Sequence, residues 1–190
     1  MTNTDDFIWR LAKGCIQLGF VPDINNTINM VPVDHVARCV TLAGISPRSD
    51  SGLTVLHVRA RPLPTYNTIF SSLSRYGFAA ERCEYLVWRR KLEQHVMEIQ
   101  DNALFPLLHF VLDDLPTSTK SPDLDDSNMR TLLRGHEDKG NRTVSDALVA
   151  KYLSWLILAN FLPKPSLSGA APLPELGNSS LRKALGRSGA

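Results

Sequence analysis

Asn29–Arg38 reads NMVPVDHVAR: a short apolar run, a proline, and then a helix whose first turn carries an acid. Ile28–Pro32 has the length of a short strand, and Pro32 closes it because its nitrogen cannot donate a ladder bond. Val33, Val36, Ala37 and Val40 follow at offsets 0, 3, 4 and 7, the repeat of one helix face turned to a core. Asp34 falls in the first turn, where its carboxylate meets unpaired backbone N–H groups and the positive end of the helix dipole. Strand, turn and helix in this order build the rim of a site in α/β enzymes. Asp34 reads first as a dipole and capping contact and second as a ligand contact.

Outward from that stretch the α/β pattern continues. Leu53–Val58, LTVLHV, is almost continuously apolar and β-branched, as a strand covered on both faces of a parallel sheet would be. His57 inside it is either a satisfied structural histidine or a further pocket group, because strand ends in α/β sheets face the ligand crevice. Pro64 and Thr65 open a helix with Tyr66, Ile69, Phe70, Leu73 and Tyr76 along one side and Gly77 as its left-handed stop. The short apolar run Glu84–Val87 then completes a βαβ-like unit. Upstream, Thr4–Gly19 reads as a helix capped by Thr4, with Phe7, Leu11, Cys15 and Leu18 inward, and Phe20–Thr27 as a loop.

From Trp88 the pattern is helical. Trp88, Leu92 and Val96 recur every four residues, and Ala103–Leu112 tolerates Pro106 near its start. Asp126 or Ser127 caps a short helix through Leu133, and Thr143 opens a last one with Leu148, Tyr152, Trp155, Leu156 and Ala159 inward. Beyond Leu162, Pro163, Pro165, Pro172 and Pro174 interleave with Gly and Ser in what reads as a flexible tail, with one helical turn at Leu181–Leu185. The expected organisation is a distal α/β part over 1–100, a helical C-terminal subdomain over 101–162, and the tail over 163–190.

Composition narrows the function classes. The chain has 190 residues, 43% of them hydrophobic, which fits one domain with an appendage. Its 21 basic and 19 acidic residues are interspersed, and the densest cluster is WRRK at Trp88–Lys91, read as a helix start; that argues against nucleic-acid binding. No apolar run approaches the ~20 residues of a membrane span. MTNTDDF is polar and acidic, unlike a secretory signal or transit peptide. Cys15, Cys39 and Cys83 are odd in number and form no CxxC, so neither a disulfide framework nor a zinc knuckle is expected, and a reducing, cytoplasmic location fits.

Catalytic constellations are missing from the residues themselves. No GxGxxG occurs, and GHEDKGNRT at Gly135–Thr143 places Asn141 and Arg142 where a phosphate loop needs lysine and hydroxyl. None of Tyr66, Tyr76, Tyr85 or Tyr152 is followed four residues on by lysine; Tyr85 has Arg89 there. His35 and Cys39 lie one turn apart, but two ligands do not make a metal site. Cys15 and Cys83 have no neighbouring base, and the acidic runs Asp113–Asp114 and Asp123–Asp126 read as solvated helix ends. No catalytic, cofactor-binding or metal-ligating residue is assigned.

Four stretches carry a resemblance: DDFIWRLAKGCIQLGFVPDINNTINMVPVDHVARCV (Asp5–Val40), WRRKLEQHV (Trp88–Val96), ALFPLLHFVLDDLPTSTK (Ala103–Lys120) and the closing GRSGA. Together they resemble the distal part of a thioester reductase domain, an extended short-chain dehydrogenase/reductase at the C-terminus of carrier-protein enzymes, in particular the fungal α-aminoadipate reductases of lysine biosynthesis. The resemblance implies an incomplete, distal part of a Rossmann-like fold. It implies a reaction in which a phosphopantetheine-bound acyl thioester on an acyl carrier domain is reduced to an aldehyde with NADPH. The family's glycine-rich turn and its Ser/Thr–Tyr–Lys set belong to a segment upstream of this one. The implied partners are that carrier domain and the N-terminal reductase half, and no cofactor is expected on this chain alone. Asn29, Met30, Pro32, Asp34 and His57 are the expected contributions to the acyl and pantetheine pocket. The alternative is a non-catalytic interaction module that pairs with a separate N-terminal half, itself or a carrier protein; a free-standing hydrolase or transferase has no nucleophile–base pair to support it.

Overall fold

The computed structural model describes residues 3–46, 54–99, 101–134, 136 and 142–177. They form two compact units that interleave along the chain. One unit takes Met1–Asn26, Tyr66–Thr119 and Ser145–Ala190, and the other takes Thr27–Thr65 and Lys120–Val144.

In the first unit, α1 (Phe7–Leu18) starts one turn later than expected, because Asp6 rather than Thr4 caps it by accepting from the Ile8 amide at 2.9 Å. Gly19 ends the helix at φ 79°. Trp9, Leu11, Ala12 and Cys15 are buried along it. The segment expected to be a loop contains β1 (Phe20–Pro22), which pairs in parallel with β2 (Glu81–Cys83), Phe20 opposite Glu81 and Pro22 opposite Cys83. Three residues are too few to display a period of two, so neither strand announces itself in the sequence.

The expected strand at Glu84–Val87 is instead the start of a helix. Glu84 caps α4 (Tyr85–Glu98), its carboxylate accepting from the Leu86 and Val87 amides at 3.0 and 3.2 Å. WRRK therefore lies inside a helix rather than at its start. Trp88, Leu92 and Val96 are buried as their spacing requires, and the Trp88 indole donates to the Phe20 carbonyl at 3.1 Å, tying α4 to β1. Helix α3 (Tyr66–Arg75) buries Tyr66, Ile69, Phe70 and Leu73, and Gly77 follows at φ 86°.

Pro106 sits in a 3-10 turn, Phe105–Leu107, that leads into α5 (Leu108–Ser118). The last helix, α7 (Asp146–Leu158), opens at Ser145 rather than Thr143, and Ser145 accepts from the Leu148 amide at 3.3 Å. Residues 163–177 have no helix or strand, but they are held: Ser166 and Leu167 amides both donate to the Gly77 carbonyl at 3.0 Å, and the Ala171 amide donates to Arg75 at 3.0 Å. The expected helical turn at Leu181–Leu185 lies outside the described residues.

The second unit contains α2 (Val33–Ile45) and α6 (Ser127–Arg134). Cys39 and Leu42 of α2 meet Met129 and Leu133 of α6 in its core, with Leu56, Val58 and Leu132 packed around them. Two expectations fail here. Residues 28–32 and 54–60 run as irregular chain rather than strands; Thr27 and Thr65 form a single antiparallel bridge, and Val55 is exposed rather than buried on both faces. The helix at Val33 is present, but its inward face is His35, Cys39 and Leu42, while Val33 and Val40 face outward. Most of the phosphate-loop candidate, residues 135 and 137–141, also lies outside the described residues.

Candidate functional site

Within the second unit an extended segment, residues 55–61, is held by side chains on both flanks. On one flank is Asn29: its amide Nδ2 donates to the Val58 carbonyl at 3.1 Å and its Oδ1 accepts from the Ala60 amide at 2.8 Å. One side chain thus supplies the donor and acceptor that a neighbouring strand would present. On the other flank are the loop at 123–126 and the first turn of α6. His57 Nδ1 lies 2.8 Å from the Asp125 carbonyl, and Asn128 Nδ2 donates to the Val55 carbonyl at 3.0 Å. A carbonyl only accepts, so the His57 proton sits on Nδ1, and in the neutral ring Nε2 is left as an acceptor.

Three arginines complete the frame. Arg59 pairs with Asp123 at 2.7 Å and donates to the Leu124 carbonyl at 3.2 Å. Arg61 grips Asp126 with two bonds of 2.8 and 2.7 Å, and Arg130 reaches the same carboxylate at 3.1 Å. The Arg61 hydrogen bonds, helped by the charge of both arginines, outweigh burial and hold the Asp126 carboxyl below its ordinary range. Asp125 is also held low, chiefly by the Ser127 amide hydrogen bond. Of the run Asp123–Asp126, Asp126 alone is buried; Asp125 is exposed, and Asp123 stays 86% exposed although it pairs with Arg59.

The structure gathers some of the predicted pocket residues and separates others. Asn29 and His57 both serve the 55–61 segment, as described above. Pro32 is buried and precedes α2, its carbonyl accepting from the Val36 amide at 3.1 Å. Asp34 is exposed in the first turn of α2, and Met30 is half-buried between the two places. Arg59, Arg61 and Asp126 were missed by sequence reasoning. The available signal was the spacing of Arg59 and Arg61, two apart on an extended run and therefore on one side of it, with an acidic run to match.

Nothing at the cysteines supports nucleophilic chemistry. Cys15 is fully buried, which pushes its thiol far above the ordinary range, and burial raises half-buried Cys83 as well. His35 Nε2 contacts Cys39 Sγ at 3.5 Å inside the unit. Among the described residues no group of three His, Cys, Asp or Glu side chains could hold a metal ion. No described helix is long and apolar enough to cross a membrane. The sequence has neither a closely spaced glycine turn for a pyrophosphate nor a tyrosine followed four residues on by lysine.

Comparison with known proteins follows the same lines. The sequence model of the male sterility protein family, an NAD-binding family, matches residues 1–40. The L-2-aminoadipate reductase of Schizosaccharomyces pombe is 48% identical over 181 residues, covering 92% of this chain and 12% of that protein. The L-2-aminoadipate reductase large subunit of Penicillium chrysogenum is 44% identical over 185 residues, covering 91% of this chain and 13% of that protein. The chain thus spans about an eighth of the length of these curated relatives. Among solved structures, the terminal R domain of the myxalamid PKS-NRPS biosynthetic pathway superposes with a TM-score of 0.73 at 23% identity, over 86% of this chain and 41% of that one. At that identity the likeness establishes the fold alone: part of a Rossmann-like α/β domain.

Proposed function

The chain belongs to the family of thioester reductase domains found in L-2-aminoadipate reductases, and from that membership we propose that it is the substrate-side, C-terminal portion of an NADPH-dependent reductase that releases a carrier-bound 2-aminoadipyl thioester as the semialdehyde in lysine biosynthesis. The observation that carries this reading is 44–48% identity to such reductases over nine-tenths or more of the chain. In the proposed reaction the C–S bond breaks, the acyl carbon takes a hydride, and the phosphopantetheine sulfur leaves with a proton as the thiol. The nicotinamide supplies the hydride, and its cradle and the proton-donating phenol belong to an upstream segment of the reductase.

This chain's share is to shape the acyl and pantetheine pocket. Asn29, Met30, Pro32, Asp34 and His57 are its candidates. Asn29 and His57 are supported by their fixed placement along 55–61, because a preorganised polar edge can orient a substrate without rearranging. The carrier domain and the N-terminal reductase half are the partners.

Mixing this chain with a polypeptide carrying the upstream reductase segment, together with 2-aminoadipyl-loaded carrier, tests the proposal through the loss of NADPH absorbance. Reduction is expected from the pair and not from either part alone. His57→Ala in the pair is expected to raise KM by about tenfold, the loss of roughly 1.4 kcal/mol of binding. Turnover by this chain alone would overturn the reading.

A further inference from the structure

Helix α2 has two apolar sides, and the second unit covers one of them. His35, Cys39 and Leu42 are its buried positions. Val33, Ala37, Val40 and Gly44 recur at offsets 0, 4, 7 and 11 on the opposite side, where Val33 is 80% and Val40 is 64% exposed. Ala37 and Gly44 are exposed too, and a Cβ added at Gly44 would meet nothing within 4 Å. The strip carries no charged side chain. A surface helix normally keeps such residues on one stripe; a helix apolar on both sides belongs in the middle layer of a layered structure.

Two further observations say what the other layer is. The same unit presents an extended segment, residues 54–60, that forms no strand ladder among the described residues, although its Leu56 and Val58 pack into the core. The solved R domain matches 86% of this chain but only 41% of its own, so more than half of that domain lies outside the shared part. A neutral, small-residue strip suits a permanent, water-free packing layer better than a transient charged partner.

We propose that the outer face of α2, centred on Val33, Ala37 and Val40, is the docking surface for the polypeptide that supplies the remaining α/β layers of the reductase fold. This rests on the reading of the chain as the distal part of such a reductase. The face that the spacing of Val33, Val36, Ala37 and Val40 marks as inward is inward in the assembled domain.

The test uses Val40→Cys in the full chain, labelled with a maleimide alone and after mixing with the upstream reductase segment, while sedimentation follows complex formation. Labelling at position 40 is expected to be fast in the chain alone and to slow by about tenfold or more in the complex, as burial in a packed layer requires. Val33→Glu is expected to weaken the complex by about tenfold or more, because a carboxylate would have to be buried. Met97→Glu, at an exposed apolar position of the other unit, is expected to leave it unchanged. A complex that leaves position 40 fully reactive and tolerates Val33→Glu overturns this proposal while sparing the functional reading. Protection of position 40 by self-association of the chain alone overturns it in favour of a second copy. Failure of any complex to form, with no thioester reduction, overturns both.

Discussion

Asp126 shows how one residue can decide a local structure. It is 5% exposed and receives bonds from Arg61 and Arg130, whose side chains remain partly in water at 43% and 45% exposure. Removing the carboxylate frees two solvated arginines rather than stranding two buried ones, so Asp126→Ala is expected to cost only about 1–2 kcal/mol in urea unfolding. The pH dependence has a definite sign. The folded carboxyl lies below its unfolded value, so its contribution is complete above the ordinary carboxylate pKa of about 4 and fades as pH falls through the lower folded value. Asp146 works the same way: burial pushes it up, but hydrogen bonds from Ser72 and Tyr76 and the charge of Arg75 bring it below the ordinary range. Unfolding titrations between pH 6 and 2 are expected to show a steep loss of stability below pH ~4 that Asp126→Asn makes shallower.

At the scale of elements, the long periodic ones were readable from sequence and the short ones were not. The helices around Leu11, Ile69 and Leu92 follow their apolar spacing, and Gly77 stops α3 as its place in the sequence requires, whereas α7 buries Val149, Ala150 and Leu153 beside Trp155 and Leu156 and leaves Leu148, Tyr152 and Ala159 half-buried. β1 and β2 escaped because a three-residue strand carries no period, and Glu84 was read into a strand although its carboxylate caps a helix. Asn29 and His57 could be singled out in the sequence as pocket candidates, whereas the arginine and aspartate frame along the same segment could not, because its partners lie more than sixty residues apart in the chain. Gly14 gives this scale its prediction. A Cβ there would come within 2.5 Å of Leu104 Cγ and 2.9 Å of Asn102 Oδ1, and the Asn102 amide already donates to the Gly14 carbonyl at 3.2 Å. Alanine would gain about 1 kcal/mol of helix propensity. The buried Leu104 cannot move aside without disturbing α1, so overpacking of about 1–3 kcal/mol should win. Gly14→Ala is expected to lower the urea midpoint and leave the unfolding slope unchanged.

For the whole molecule, the covered thiols provide a global reporter. Cys15 and Cys39 are buried and Cys83 is half-buried, with burial raising the thiols of Cys15 and Cys83. Native chain at pH 7.5 is expected to react with a disulfide reagent slowly at Cys83 and hardly at all at the other two, with all three released together on unfolding. Rapid native labelling of Cys15 would contradict the packing of α1 against β1 and α4.

The interleaving of the units has a consequence during synthesis. Thr27–Thr65 leaves the ribosome well before Lys120–Val144, the stretch that brings Met129 and Leu133 to Cys39 and Leu42. At ~5–20 residues per second the intervening Tyr66–Thr119 occupies roughly 3–11 s of translation, during which the nascent α2 lacks the α6 half of its core. Chaperone capture of stalled nascent chains should accordingly peak in that interval and decline once Val144 has emerged.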